Sequence, residues 1–128
     1  MILLCLGSNH LHEQHFAKAR HLLTATLPSL HFTRTIWTEP IGFSSPPYLN
    51  GLAYSEQEIR YEALLYLTKD IERQLGRRHD DSHEVSIDID ILQCGDQKYH
   101  DTDWERSYVR ELLHEVPRFE ATSWKGIV

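Results

Sequence analysis

The stretch Val85-Ser86-Ile87-Asp88-Ile89-Asp90-Ile91-Leu92 restricts this chain more than any other. β-Branched residues at 85, 87, 89 and 91 recur with the period of a strand that has one apolar face, so Asp88 and Asp90 share the other face. Each strand residue advances about 3.3 Å, which sets the two aspartate Cα atoms roughly 6.5–7 Å apart. Carboxylates so placed repel each other unless a cation or a proton intervenes. Two readings follow. One is an edge strand with a solvated polar face. The other is an oxygen-only Mg²⁺ site, completed by substrate phosphates.

The rest of the chain supplies a frame for that strand. Residues 2–6 are aliphatic and run into Gly7-Ser8-Asn9, a turn whose last residue is a good helix N-cap. Phe16, Ala19, Leu23 and Thr26 then follow helical spacing over about residues 10–26, closed by Pro28. Residues 31–38 are rich in β-branched and aromatic types and predict a second strand. The segment 39–47, with three prolines and a glycine, is a loop. Residues 48–54 predict a third strand, and Ser55-Glu56-Gln57-Glu58 reads as a capping box. Leu64, Leu67, Ile71 and Leu75 mark one face of the next helix, and Gly76 stands where a left-handed terminator belongs. A polar loop at 77–84 leads into the aspartate strand. A turn at Gly95, a short helix over about 104–115 and a tail complete the chain. The order β-α-β-β-α-β predicts an α+β, ferredoxin-like sandwich: an antiparallel sheet with helices on one face, plus the short C-terminal helix.

Composition narrows the function. The 128 residues suit a single domain, 1–128. A formal charge of −6 argues against a nucleic-acid partner. No apolar run approaches the ~20 residues of a membrane span, and Met1 to Leu6 lack a basic leader, so a cytoplasmic location is expected. Cys5 and Cys94 read as buried free thiols. The nine histidines show no zinc spacing and read as surface residues.

Four segments together carry a resemblance: Leu6-Gly7-Ser8-Asn9, Tyr48-Leu49-Asn50, Ile71-Glu72 with Gly76-Arg77, and Ile87-Asp88-Ile89-Asp90-Ile91-Leu92. In this order and spacing the chain resembles the 6-hydroxymethyl-7,8-dihydropterin pyrophosphokinases of folate biosynthesis, transferases that move a diphosphate from ATP to a pterin hydroxymethyl group. Arg106-Ser107-Tyr108-Val109 extends the likeness. The resemblance implies a catalytic set of Arg77, Asp88 and Asp90, with the two aspartates binding two Mg²⁺ ions that bridge the phosphates of ATP. It implies pterin contacts at Thr38, Ile41, Gly42, Tyr48, Asn50 and Tyr108, and nucleotide contacts at Glu72, Arg77, Ile91, His100 and Arg106. The implied partners are these small molecules; a monomer that binds neither nucleic acid nor membrane is expected.

The chain also departs from that pattern. Family members carry Gly-Pro-Arg just before the aspartate strand, in a loop that closes over the substrates; here the arginine position is Val85, and the shorter loop brings Asp80, Asp81 and Glu84. Arg78, or a cation from elsewhere, is the candidate replacement. His100 aligns with the family's nucleotide-site histidine by its spacing to Arg106, whereas taking Tyr99 into a hairpin strand leaves that histidine without a counterpart. The departures keep two competing expectations open: a pterin- or nucleotide-binding module with weak or no turnover, and an interaction domain whose aspartates are merely solvated.

Overall fold

A computed structural model describes residues 1–40, 42, 45–78, 80 and 83–117. Its elements run β1 (Ile2–Ser8), α1 (His12–Thr26), β2 (His31–Phe32), β3 (Ile36–Thr38), β4 (Tyr48–Ser55), α2 (Tyr61–Gln74), β5 (Asp88–Cys94), β6 (Gln97–Lys98), α3 (Asp101–Trp104) and α4 (Ser107–Leu113). The strands form one antiparallel sheet in the order β2-β4-β1-β5-β6, with β3 also on β4. This is the predicted ferredoxin-like sheet, and its adjacent inner strands β1 and β4 are the most buried.

The sheet is apolar on both faces. Ile2, Leu4 and Leu6 of β1 pack with Ile89 and Ile91 of β5 against Ala19 and Leu23 of α1 and Leu64 and Ile71 of α2. On the reverse face, Leu3, Leu52 and Leu92 meet Trp104, Val109, Leu112 and Leu113 of the C-terminal helices. Leu92 keeps the face of Asp88 and Asp90 by strand alternation; it is also the extra residue of a bulge, since Leu4 pairs with Ile91 but Leu3 with Gln93, and the bulge returns Cys94 to the first core.

Several local expectations are corrected by tertiary contacts. β1 continues through Gly7 and Ser8, because both pair with β4. Asn9 does not cap α1, whose N-cap is Leu11 in a left-handed conformation (φ 46°). Its amide instead crosses to the segment before β5: Nδ2 donates to the His83 carbonyl (2.8 Å) and Oδ1 accepts from the Val85 N–H (2.6 Å). The predicted strand 31–38 breaks at 33–35, where Thr33 Oγ1 accepts from the Leu52 N–H and the Arg34 N–H turns to the Glu115 carboxylate. Ser55 is the end of β4 and takes the Gln57 N–H, so it forms a turn and no capping box. β5 starts at Asp88, three residues later than expected, and the C-terminal helix divides into α3 and α4.

The end of α2 follows the prediction closely. Gly76 has φ 82°, its N–H donates to the Arg73 carbonyl, and the Arg77 N–H donates to the Glu72 carbonyl, the paired 5→2 and 6→1 bonds of a Schellman motif. That motif aims Arg77 at β5.

Asn9→Ala is expected to lower the unfolding free energy by about 1–3 kcal/mol, since the buried Val85 N–H loses its acceptor. Urea denaturation checks this, and Asn9→Asp, which keeps that acceptor, should lose less.

Candidate active site

The second face of the sheet is only partly covered by α4. Beside it lies a cavity of about 210 Å³ with contributions from four strands, α3, α4 and the loop after β3. β5 supplies Asp88 and Asp90, and β4 supplies Tyr48 and Asn50. β3 contributes Thr38, and Arg106 and Tyr108 come from the start of α4. Of the thirteen residues predicted for the site, seven therefore meet in one place. The wet-face reading of the aspartate strand gives way to a walled pocket.

Asn50 is held from below and from the side. It pairs with Gly7 across β1 and β4, and a Cβ at Gly7 would stand 3.2 Å from Asn50 Oδ1, so a glycine gives this amide its room. Its Nδ2 donates to Thr38 Oγ1 at 2.7 Å. Tyr108 places its hydroxyl 4.0 Å from Cys5 Sγ on the cavity floor. Burial pushes the Cys5 thiol up to about 12, with the Asp90 charge adding to the effect, so Cys5 is a neutral, apolar wall.

The charges are unevenly partnered. Arg77, only 14% exposed at its side chain, donates from Nε to Asp88 Oδ1 at 2.7 Å. Arg106 donates from Nε to Asp103 Oδ1 at 3.0 Å, and His100 Nδ1 stands 4.0 Å from the other oxygen of Asp103. Asp90 makes no ion pair among the described residues. Burial and then the Asp88 charge raise the Asp90 carboxyl above its ordinary value, while Lys69 and His100 pull it back. Tyr48 is raised as well, by burial and by Asp88.

Other predicted residues lie elsewhere. The Ile91 side chain is in the core under α1 and α2, on the face opposite the aspartates. The Glu72 carboxylate accepts the Ile89 N–H at 2.7 Å, so it serves the edge of β5 and does not face the cavity. Gly42 has φ 84° and open space about it, and Ile41 lies outside the described residues. Arg78, the candidate replacement cation, pairs with Glu84 (2.8 Å) and Asp80 (3.6 Å) of its own loop. Sequence reasoning missed Cys5, Gly7, Glu39, Pro40 and Asp103, all of which line the cavity. Two of these had a signal: Gly7 stands in the motif Leu6-Gly7-Ser8-Asn9, and Asp103 lies three residues before Arg106.

A family model for 7,8-dihydro-6-hydroxymethylpterin-pyrophosphokinase matches residues 3–119. The chain belongs to this family. Proteins from two strains of Porphyromonas gingivalis, each named 2-amino-4-hydroxy-6-hydroxymethyldihydropteridine pyrophosphokinase, are 35% identical to it over 91% of this chain and 90% of their own length. Membership in the pyrophosphokinase family spans both cores and every element that borders the cavity.

A raised Asp90 pKa means that the folded protein holds this proton more tightly than the unfolded chain does, so ionisation above the carboxylate range costs stability. Asp90→Asn should therefore melt at a higher temperature than the parent at neutral pH. The gap should close as the pH falls through the folded pKa toward the ordinary value of about 3.9. Thermal melts across that range decide it; an Asp90→Asn variant less stable than the parent at neutral pH would contradict the assigned repulsion.

Proposed function

We propose that this chain transfers the diphosphate of ATP to the hydroxymethyl group of 6-hydroxymethyl-7,8-dihydropterin, the pyrophosphokinase step of folate biosynthesis. Support comes from family membership over residues 3–119 and from one cavity that holds two aspartates and Arg106 beside Thr38, Asn50 and two tyrosines. In the reaction the pterin hydroxyl oxygen bonds to the β-phosphorus, the bond from that phosphorus to the α,β-bridging oxygen breaks, AMP leaves with that oxygen, and the hydroxyl proton is lost. No protein nucleophile is required. Catalysis of this kind rests on alignment and on neutralising charge.

Asp88 and Asp90 are assigned to hold Mg²⁺. The donor set fits: two carboxylates on one face, one of them without an ion pair among the described residues and raised by burial and then by its neighbour's charge, with the oxygen chemistry that Mg²⁺ selects. When bound, Mg²⁺ supplies Lewis-acid neutralisation of the phosphate oxygens. Arg77 and Arg106 each rest on an aspartate, within reach of exchanging it for a phosphate oxygen, which a guanidinium binds bidentately. His100 is assigned to the nucleotide through its place beside Asp103. Glu72 and Ile91 have side chains turned away from the cavity and are not assigned direct nucleotide contacts. Asn50 and Thr38 offer hydrogen bonds to the edge of the pterin, and Tyr48 and Tyr108 offer ring faces and walls. Gly42 and Ile41, the latter outside the described residues, are assigned to the pterin by the family likeness alone.

No helix among the described residues is long and apolar enough to cross a membrane. We assign the enzyme to the cytoplasm as a monomeric single domain, a reading supported by its two free thiols. The non-catalytic alternative is less favoured, because both curated relatives carry the pyrophosphokinase name.

The decisive assay incubates the protein with ATP, Mg²⁺ and the pterin alcohol and follows AMP and diphosphorylated pterin by mass spectrometry. Both products are expected, and EDTA should abolish them until Mg²⁺ is restored. Asp88→Asn should lower kcat on the order of 10²–10³-fold. Retained pterin binding without either product would favour the binding module, and turnover untouched by Asp88→Asn would refute the metal assignment. Arg77→Met should also slow turnover, with a rise in KM for ATP and little change in KM for the pterin.

A further inference from the structure

Ile89 is the residue between the two aspartates, and the outer edge of its backbone lacks a neighbouring strand. On its inner side β5 pairs with β1 over its whole length, whereas β6 covers the outer edge only at Gln93 and Cys94. At Ile89 two side chains of α2 take the place of a strand. Glu72 Oε2 accepts the Ile89 N–H at 2.7 Å. Lys69 Nζ stands 3.5 Å from the Ile89 carbonyl oxygen and donates to both Glu72 oxygens, at 3.0 and 3.3 Å. The Glu72 side chain is 3% exposed and that of Lys69 43%.

The chemistry of the peptide unit gives this contact its meaning. The Ile89 N–H belongs to the peptide that follows Asp88, and the Ile89 carbonyl belongs to the peptide that precedes Asp90. Glu72 therefore grips one peptide plane and Lys69 the other, and the ion pair between them ties the two grips together. An exposed strand edge twists readily. A twist here rotates one carboxylate relative to the other, which is the geometry a shared cation demands.

We propose that Lys69 and Glu72 are positioning residues that hold Asp88 and Asp90 in register for a divalent cation, an inference that rests on the reading of these aspartates as the metal site. Neither residue needs to touch the cation or the substrate. Outer-shell partners of metal ligands typically carry 10–100-fold of affinity or activity.

The test uses the full chain with Mn²⁺ as the probe cation, counted by the loss of its free-ion paramagnetic resonance signal, alongside kcat and the KM for each substrate. Lys69→Met and Glu72→Ala are expected to weaken Mn²⁺ binding about 10-fold or more and to lower kcat comparably, with the pterin KM within about twofold. Glu72→Gln keeps an acceptor for the Ile89 N–H and should recover most of the affinity, as should Lys69→Arg. The sign for Lys69→Met is diagnostic, because removing a nearby positive charge by itself tightens cation binding. Tighter Mn²⁺ binding in Lys69→Met overturns the proposal, as does a lowered melting temperature with unchanged Mn²⁺ affinity and kcat. If Glu72→Ala fails to fold, the half-exposed Lys69 decides. A parent protein that binds no Mn²⁺ removes the metal-site reading and this inference with it; a parent that binds, with variants that match it, removes the inference alone.

Discussion

The structure depends on the burial of Ile87, Ile89 and Ile91 beneath α1 and α2. Each such side chain contributes about 1.5–3 kcal/mol when removed from water. Two unit charges about 6.5 Å apart repel by roughly 2.5 kcal/mol at an effective dielectric near 20. The isoleucines win, and because strand parity is two, the aspartates are carried together onto the opposite face whatever their mutual repulsion. The site is thus built at a cost that the core offsets, and a bound cation is the ready way to lift it.

What surrounds the aspartates follows from α2. Its amphipathic face packs on β5, its Lys69 and Glu72 meet the strand edge at Ile89, and its Schellman terminus sends Arg77 to Asp88. One helix therefore supports the pair from behind, fixes its backbone and supplies a cation. Among the described residues of the acidic loop that leads into β5, Arg78 pairs with Glu84 and Asp80, and Asn9 anchors the end of the loop at His83 and Val85. Arg106 is the guanidinium that lines the cavity, resting on Asp103, while Arg77 reaches the site through its ion pair with Asp88.

Local periodicity and the family motifs together anticipated the aspartate strand, the helix ending at Gly76, the sheet order and most of the cavity. They failed where a side chain bonds across the fold. Asn9 reads as a helix cap by propensity, yet its amide is taken by a segment more than seventy residues away. Ser55 reads as a capping box and forms a turn. Cys5 is the buried free thiol that its strand predicts, and only the partial coverage of its face by α4 makes it part of the cavity floor as well. The family likeness implies a nucleotide contact for Glu72, and the missing strand beside Ile89 instead draws its carboxylate onto the edge of β5.

By itself the sequence determined the face on which Asp88 and Asp90 stand, the point at which α2 stops, and the family to which the chain belongs, because periodicity, a glycine's access to positive φ and short motifs are local properties. Only the tertiary structure decided which cations meet which carboxylates, and that α3 and α4 wall the second face into a pocket. It alone decided, too, that a lysine and a glutamate stand in for a strand. Those outcomes depend on which unpaired backbone and charged groups the packing brings together, and no spacing along the chain encodes that.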